Sequence, residues 1–139
     1  MNASTSLVLH HVDRPDTALT AFLVYRTGDP YFVRLLVPGI PSVDVARTVL
    51  VEGANLPVES ASFHLLPSDD PDWLLATVHP SSPDALCLWL PRHPLGAFLA
   101  ETIALVPPGR EGEHIDWDRE FASFVSGFPG DDGGDERGY

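Results

Sequence analysis

The stretch from Phe22 to Val37 constrains the fold more than any other part of the chain. Aromatic, β-branched and other apolar residues stand on both sides of Thr27-Gly28-Asp29-Pro30, a pattern that reads as two β-strands around a turn. Asp29 precedes a proline and is pushed toward extended backbone, and Pro30 is tolerated as a strand's first residue. Alternation then places Tyr31, Val33, Leu35 and Val37 on one face and Phe32, Arg34 and Leu36 on the other. Both faces are mostly apolar, whereas a hairpin with one wet face alternates between apolar and polar. The hairpin is therefore expected to be covered twice, by a helix layer and by a second sheet or another subunit.

The remainder supplies further strands and two longer helices. Leu7 to Val12 reads as a first strand, Pro38-Gly39-Ile40-Pro41 as a turn, and Val43 to Val45 as a brief extended piece. Ala46, Val49, Leu50 and Gly53 fall at helical spacing, giving a helix of two turns at most with Gly53 as its C-terminal cap. Strands are expected over Val58 to Leu66, Trp73 to Val78 and Ala85 to Leu90, separated by turns rich in proline, serine and aspartate. Consecutive strands with short polar turns indicate an antiparallel sheet, not repeated βαβ units. Leu95, Phe98, Leu99, Thr102, Ile103 and Val106 follow a helical stripe that opens at Pro94, with Ala97, Ala100 and Ala104 on the reverse face. Pro107-Pro108-Gly109 ends it, and Asp116 caps a last helix carrying Asp118 and Glu120 in its first turn. A single α+β domain over residues 1–126 and a disordered acidic tail over 127–139 complete the reading.

Charge and cysteine content narrow the function. The net charge is −12, and all eight basic residues are dispersed arginines. Nucleic-acid backbones and acidic lipid are poor partners for such a surface. The one cysteine, Cys87, lies in an apolar run and reads as a small buried hydrophobe in a reducing cytoplasm. No secretory signal and no membrane-spanning run is visible.

No catalytic or metal motif emerges, and no cofactor is expected. His10 and His11 are adjacent in a strand and point to opposite faces, and His64, His79, His93 and His114 lack ligand spacing. Asp116 to Glu120 imitates the start of a calcium loop, but Phe121 and Gly127 stand where that loop needs glycine and glutamate. Gly109-Arg110-Glu111-Gly112 lacks the lysine and hydroxyl of a phosphate loop. Asp69, Asp70 and Asp72 suit turn chemistry. The chain is not expected to be an enzyme.

Several segments together resemble the SsgA-like proteins, actinobacterial regulators of sporulation and cell division. Tyr25-x-Thr27-Gly28-Asp29-Pro30-Tyr31-x-Val33 is similar to that family's hairpin, and Ala46-Arg47-Thr48-Val49-Leu50-Val51-Glu52-Gly53 to its A-R-D-L-L-x-x-G helix. His64-Leu65-Leu66-Pro67-Ser68 resembles its W-P-S strand end. Val106-Pro107-Pro108-Gly109, followed by Asp116, Asp118 and Glu120, is similar to its ending. Thr48 and Leu66 depart from the pattern, as does the absence of a Trp and a Phe before Arg47. The resemblance implies a whirly-like domain that assembles as a homotrimer. It implies a non-enzymatic adaptor that selects septum sites and localises the FtsZ division ring, cytoplasmic and recruited to the septum. Its partners would be itself, FtsZ and other SsgA-like proteins, without nucleic acid or membrane insertion. Ala97, Ala100 and Ala104 are the expected oligomer contact. The competing expectation is a single-stranded nucleic-acid-binding module, by fold analogy alone.

Overall fold

The structure, a computed structural model, describes residues 1–114. The expected last helix with Asp116, Asp118 and Glu120, the boundary at 126 and the acidic tail lie outside those residues. Eight strands form one antiparallel sheet: β1 (Asn2–His11), β2 (Ala18–Arg26), β3 (Phe32–Leu36), β4 (Val43–Ala46), β5 (Val58–Glu59), β6 (Phe63–Pro67), β7 (Trp73–Val78) and β8 (Leu86–Pro91). Helix α1 (Arg47–Gly53) follows β4, α2 (Arg92–Leu105) follows β8, and a 3-10 turn spans Glu111–His114. The α+β class and the antiparallel sheet are as the sequence predicts.

The strand order β4-β3-β2-β1-β8-β7-β6-β5 makes two meanders joined edge to edge. Each meander arises from short turns; the seam between β1 and β8 pairs only His10 with Trp89 and His11 with Leu88. The sheet curls, and one contact bridges its two halves. His79, with φ of 52°, sets its Nε2 2.9 Å from the Pro41 carbonyl, tying the end of β7 to the entry of β4. Inside the curl lie Leu7, Leu23, Tyr25, Val33, Leu35, Phe63, Leu65, Leu74 and Leu88, with Leu95, Phe98 and Leu99 of α2 against them. Burying each of those large side chains contributes about 1.5–3 kcal/mol.

Four expectations are corrected. The strand expected from Val58 to Leu66 is a hairpin. Its polar centre, Ser60 to Ser62, turns the chain, and the Ser60 N–H and hydroxyl both reach the Phe63 carbonyl at 2.9 Å. Tyr31 does not share the face of Val33; it sits in the turn before β3 and is 46% exposed. Gly53 is the last residue of α1, not a left-handed cap, and Ala54 after it keeps right-handed helical backbone. What Gly53 provides is room, since a Cβ there would stand 2.6 Å from Leu65 Cδ2. Cys87 is exposed, because the inward position on β8 belongs to Leu88.

Helix α2 keeps the expected stripe but begins two residues before Pro94. Pro107 and Pro108 stop it, and Gly109 turns the chain with φ of 87°, a backbone shape open to glycine.

Candidate functional site

The hairpin turn, the start of α1 and the end of α2 meet at Arg47. Arg47 opens α1 with its side chain buried to 4% exposure. Its Nη1 donates to the carbonyls of Thr102 and Val106 at 3.1 and 2.7 Å, and its Nη2 to Glu111 at 3.0 Å. Helix α2 has no basic residue in its last turn, so its negative end is neutralised from a distant segment. The guanidinium also stacks over Tyr25, 5.2 Å from the ring centroid.

The same contacts explain the hairpin motif. The Tyr25 hydroxyl donates to the Pro30 carbonyl at 2.9 Å, and the Arg47 backbone N–H donates to the Tyr31 carbonyl at 2.8 Å. Both carbonyls of the turn's exit are thereby satisfied. Burial pushes the Tyr25 phenol up, against the opposing pull of Arg47. Glu111 is held below the usual carboxylate range, chiefly by a hydrogen bond from its own backbone and, against the opposing effect of burial, by Arg47 and the Gly109 N–H. Gly109 N–H meets Glu111 Oε1 at 2.8 Å. Arg47, Glu111 and Tyr25 are thus a structural knot, with the Arg47 and Tyr25 side chains closed off from solvent.

Of the remaining motif residues, Thr27 N–H binds the Met1 carbonyl at 3.1 Å, Asp29 is exposed, and Pro30 and Val33 are buried. Pro107, Pro108 and Gly109 are exposed in the link to Glu111. Ala97, Ala100 and Ala104 face outward, away from the core of this chain.

The open face of the sheet carries two features. Beneath one lie four side chains that follow one another across β6, β7, β8 and β1: Leu66 beside Leu75, Leu75 beside Trp89, and Trp89 beside His10. They floor a groove of about 670 Å³ that is also lined by Trp73, Pro15 and Pro67. His10 packs edge-on to Trp73 with centroids 5.4 Å apart, and its Nδ1 lies 3.0 Å from the Pro15 carbonyl. A carbonyl only accepts, so Nδ1 carries the proton. The rim is the turn between β6 and β7, with Asp69 and Asp70 in the lining and no arginine. Ser68 stiffens it: its Oγ accepts the Asp70 N–H at 3.1 Å and lies 2.7 Å from the Trp73 carbonyl.

The second feature is the outer side of the hairpin itself. Phe22 pairs with Leu36 across β2 and β3, and the two are 48% and 37% exposed. Val8 and Phe32 extend the patch at 51% and 42% exposure. Among the described residues only one side of the hairpin is covered. Arg34 stands between Phe32 and Leu36 on this face and pairs with Asp44 at 2.9 Å, where both are solvated and the contact contributes little.

Pro67 and the turn after it were legible as a motif; the groove was not. Its signal was present in the strands, since Leu66, Trp73, Leu75 and Trp89 are bulky apolar residues at the positions opposite the core residues. Among the described residues no group of three or more His, Cys, Asp or Glu side chains is placed to hold a metal ion. No helix among them is long and apolar enough to cross a membrane.

Comparison with known proteins gives a consistent result. The family model described as Streptomyces sporulation and cell division protein, SsgA, matches residues 19–111. The sporulation-specific cell division protein SsgB of Kineococcus radiotolerans is 34% identical over 133 residues, 91% of this chain and 80% of that protein. SsgB of Streptomyces coelicolor is 32% identical over 135 residues, 91% of this chain and 98% of that one. The solved structure of an SsgA-like sporulation-specific cell division protein from Thermobifida fusca superposes with a TM-score of 0.72 at 28% identity, covering 89% of this chain and 96% of that one. A structure of SsgB, whose mutations correlate with longitudinal cell division during sporulation of Streptomyces coelicolor, gives a TM-score of 0.73 at 29% identity, over 83% and 96% of the two chains.

Proposed function

The chain belongs to the SsgA family of sporulation and cell-division proteins, and from that membership we propose that it is a non-enzymatic adaptor in septum-site selection. It assembles with copies of itself, as a trimer in the simplest reading, and presents a surface to division-ring proteins such as FtsZ or to other SsgA-like proteins. Its working place is the cytoplasmic side of the forming septum.

The observation that carries this reading is the uncovered outer side of the hairpin. Val8, Phe22, Phe32 and Leu36 are large apolar side chains on one continuous sheet face, with no helix or strand of the described chain over them. Val8, Phe22 and Leu36 are neighbours there, with Phe32 beyond Arg34, and exposed apolar surface of this kind marks a protein–protein contact. The nucleic-acid alternative is disfavoured by the groove, which has stacking aromatics but carboxylates where a basic track is needed.

A fluorescent fusion imaged in sporulating cells together with the division ring tests the proposal. Co-localisation at septa, and capture of ring proteins in a pull-down, are expected. Diffuse fluorescence with normal septa in a deletion strain would refute the adaptor role.

A further inference from the structure

We propose that the groove over Leu66, Leu75, Trp89 and His10 binds a proline-containing, arginine-flanked peptide segment in extended, polyproline-type conformation. The inference rests on the adaptor reading above and supplies the chemistry of one partner.

The floor of the groove decides what kind of chain fits. Leu75, Trp89 and His10 stand on β7, β8 and β1, and each of these positions is already paired with a strand on both sides. A peptide laid across them cannot extend the sheet. Any N–H it turned toward Trp73, Leu75 and Trp89 would lose water without gaining a partner, and proline has no N–H to lose. A proline ring brings apolar surface that stacks on indole, and polyproline helices dock on aromatic-lined grooves with little ordering cost.

The peptide's carbonyls need donors, and the two tryptophans of the lining each carry one. The indole N–H groups of Trp73 and Trp89 make no hydrogen bond to protein among the described residues. The charge of the rim sets the flank. Asp69 and Asp70 line the groove without an arginine, and the whole chain carries −12. A cationic partner is drawn to it. Asp131, Asp132, Asp135 and Glu136 of this chain carry charge of the same sign as the rim and do not complement it.

The test uses the full-length protein and a short synthetic probe with two prolines in P-x-x-P spacing and an arginine at each end. Binding is followed through the indole N–H resonances, assigned with Trp73→Phe and Trp89→Phe. Saturable shifts of both signals at micromolar probe are expected. Each Trp→Phe variant, which keeps an aromatic face but loses the donor and part of the stacking area, should weaken binding by at least roughly threefold to tenfold, the worth of one hydrogen bond. Asp69→Arg should weaken it about threefold to fivefold at low salt and less at high salt.

Three results would overturn the site: no saturable shift, equal binding of a probe with alanine for proline, or unchanged affinity in all three variants. Indole shifts that track protein concentration without any probe would instead give the groove to a second copy, and also overturn it. Septal recruitment in cells is a separate readout. Lost peptide binding with recruitment intact strikes this site alone, and the reverse strikes the adaptor reading.

Discussion

Arg47 and Tyr25 stack face to cation, 5.2 Å from charge centre to ring centre, across 22 residues of chain. The contact joins the hairpin to α1, and through the other arms of the guanidinium to the carbonyls of α2 and to Glu111. Three segments that are remote in sequence are held by one side chain.

Replacing Arg47 by Met should therefore cost about 3–5 kcal/mol, as expected when one partner of a buried pair is removed. Arg47→Lys should recover only part, because an ammonium cannot reach two carbonyls and a carboxylate in one plane while stacking. Urea unfolding with an unchanged slope reads both. A loss below about 1 kcal/mol for Met, the level of an exposed pair, would show that the knot is dispensable.

Acid should weaken the same knot. Glu111 titrates below its ordinary range when folded, so its contribution is complete above the unfolded value and fades as pH falls through the folded one. Melting temperature followed from neutral pH into the acid range should fall, and Glu111→Gln should lower it at neutral pH while flattening that fall. An acid limb as steep in the variant as in the original chain would remove Glu111 from the account.

At Gly53 helix propensity and packing oppose each other. Alanine is the better helix former by about 1 kcal/mol, but its Cβ would meet Leu65, which is fully buried, at 2.6 Å. Overpacking costs typically 1–3 kcal/mol, so Gly53→Ala should be net destabilising. Combining it with Leu65→Ala should cost less than the two changes added. Strict additivity in denaturation would mean that the contact relaxes freely.

Assembly is tested at two surfaces. Phe22→Asp should shift sedimentation equilibrium toward monomer with little change in melting temperature, since Phe22 is outside the core. Ala100→Arg, on the outward side of α2, should leave the fold intact and reveal whether that side is also a contact. A clean monomer mass for the unmodified protein at tens of micromolar would sink the self-assembly claim.

The sequence showed the strands best where hydrophobic pattern and turn chemistry agreed. Trp73 to Val78 lies between Pro71-Asp72 and Pro80, and it is a strand over the expected residues. Where a turn was made of serine and alanine, as at Ser60 to Ser62, the apolar residues on either side merged into one apparent strand. Cys87 went the other way because an unbroken apolar run hides which of its members point inward; only pairing with β7 fixes that. Arg47 was visible as a motif residue, but its partners Thr102, Val106 and Glu111 lie 55 to 64 residues away, beyond any local pattern. The groove was hidden for the same reason. Its floor exists only after four strands have been laid side by side.

The seam between β1 and β8 has a consequence for the order of events as the chain folds. Each meander closes through neighbours in sequence, whereas His10 must find Trp89, 79 positions further along the chain. Loop closure over that span is entropically slow relative to hairpin formation. The two halves should accumulate native pairing first and zip together last, with the Val12 N–H to Cys87 carbonyl bond at 3.2 Å among the final links. In pulse-labelling hydrogen exchange the Val12 amide should gain protection after those of Leu23 and Leu75. Simultaneous protection would place the seam in the nucleus instead.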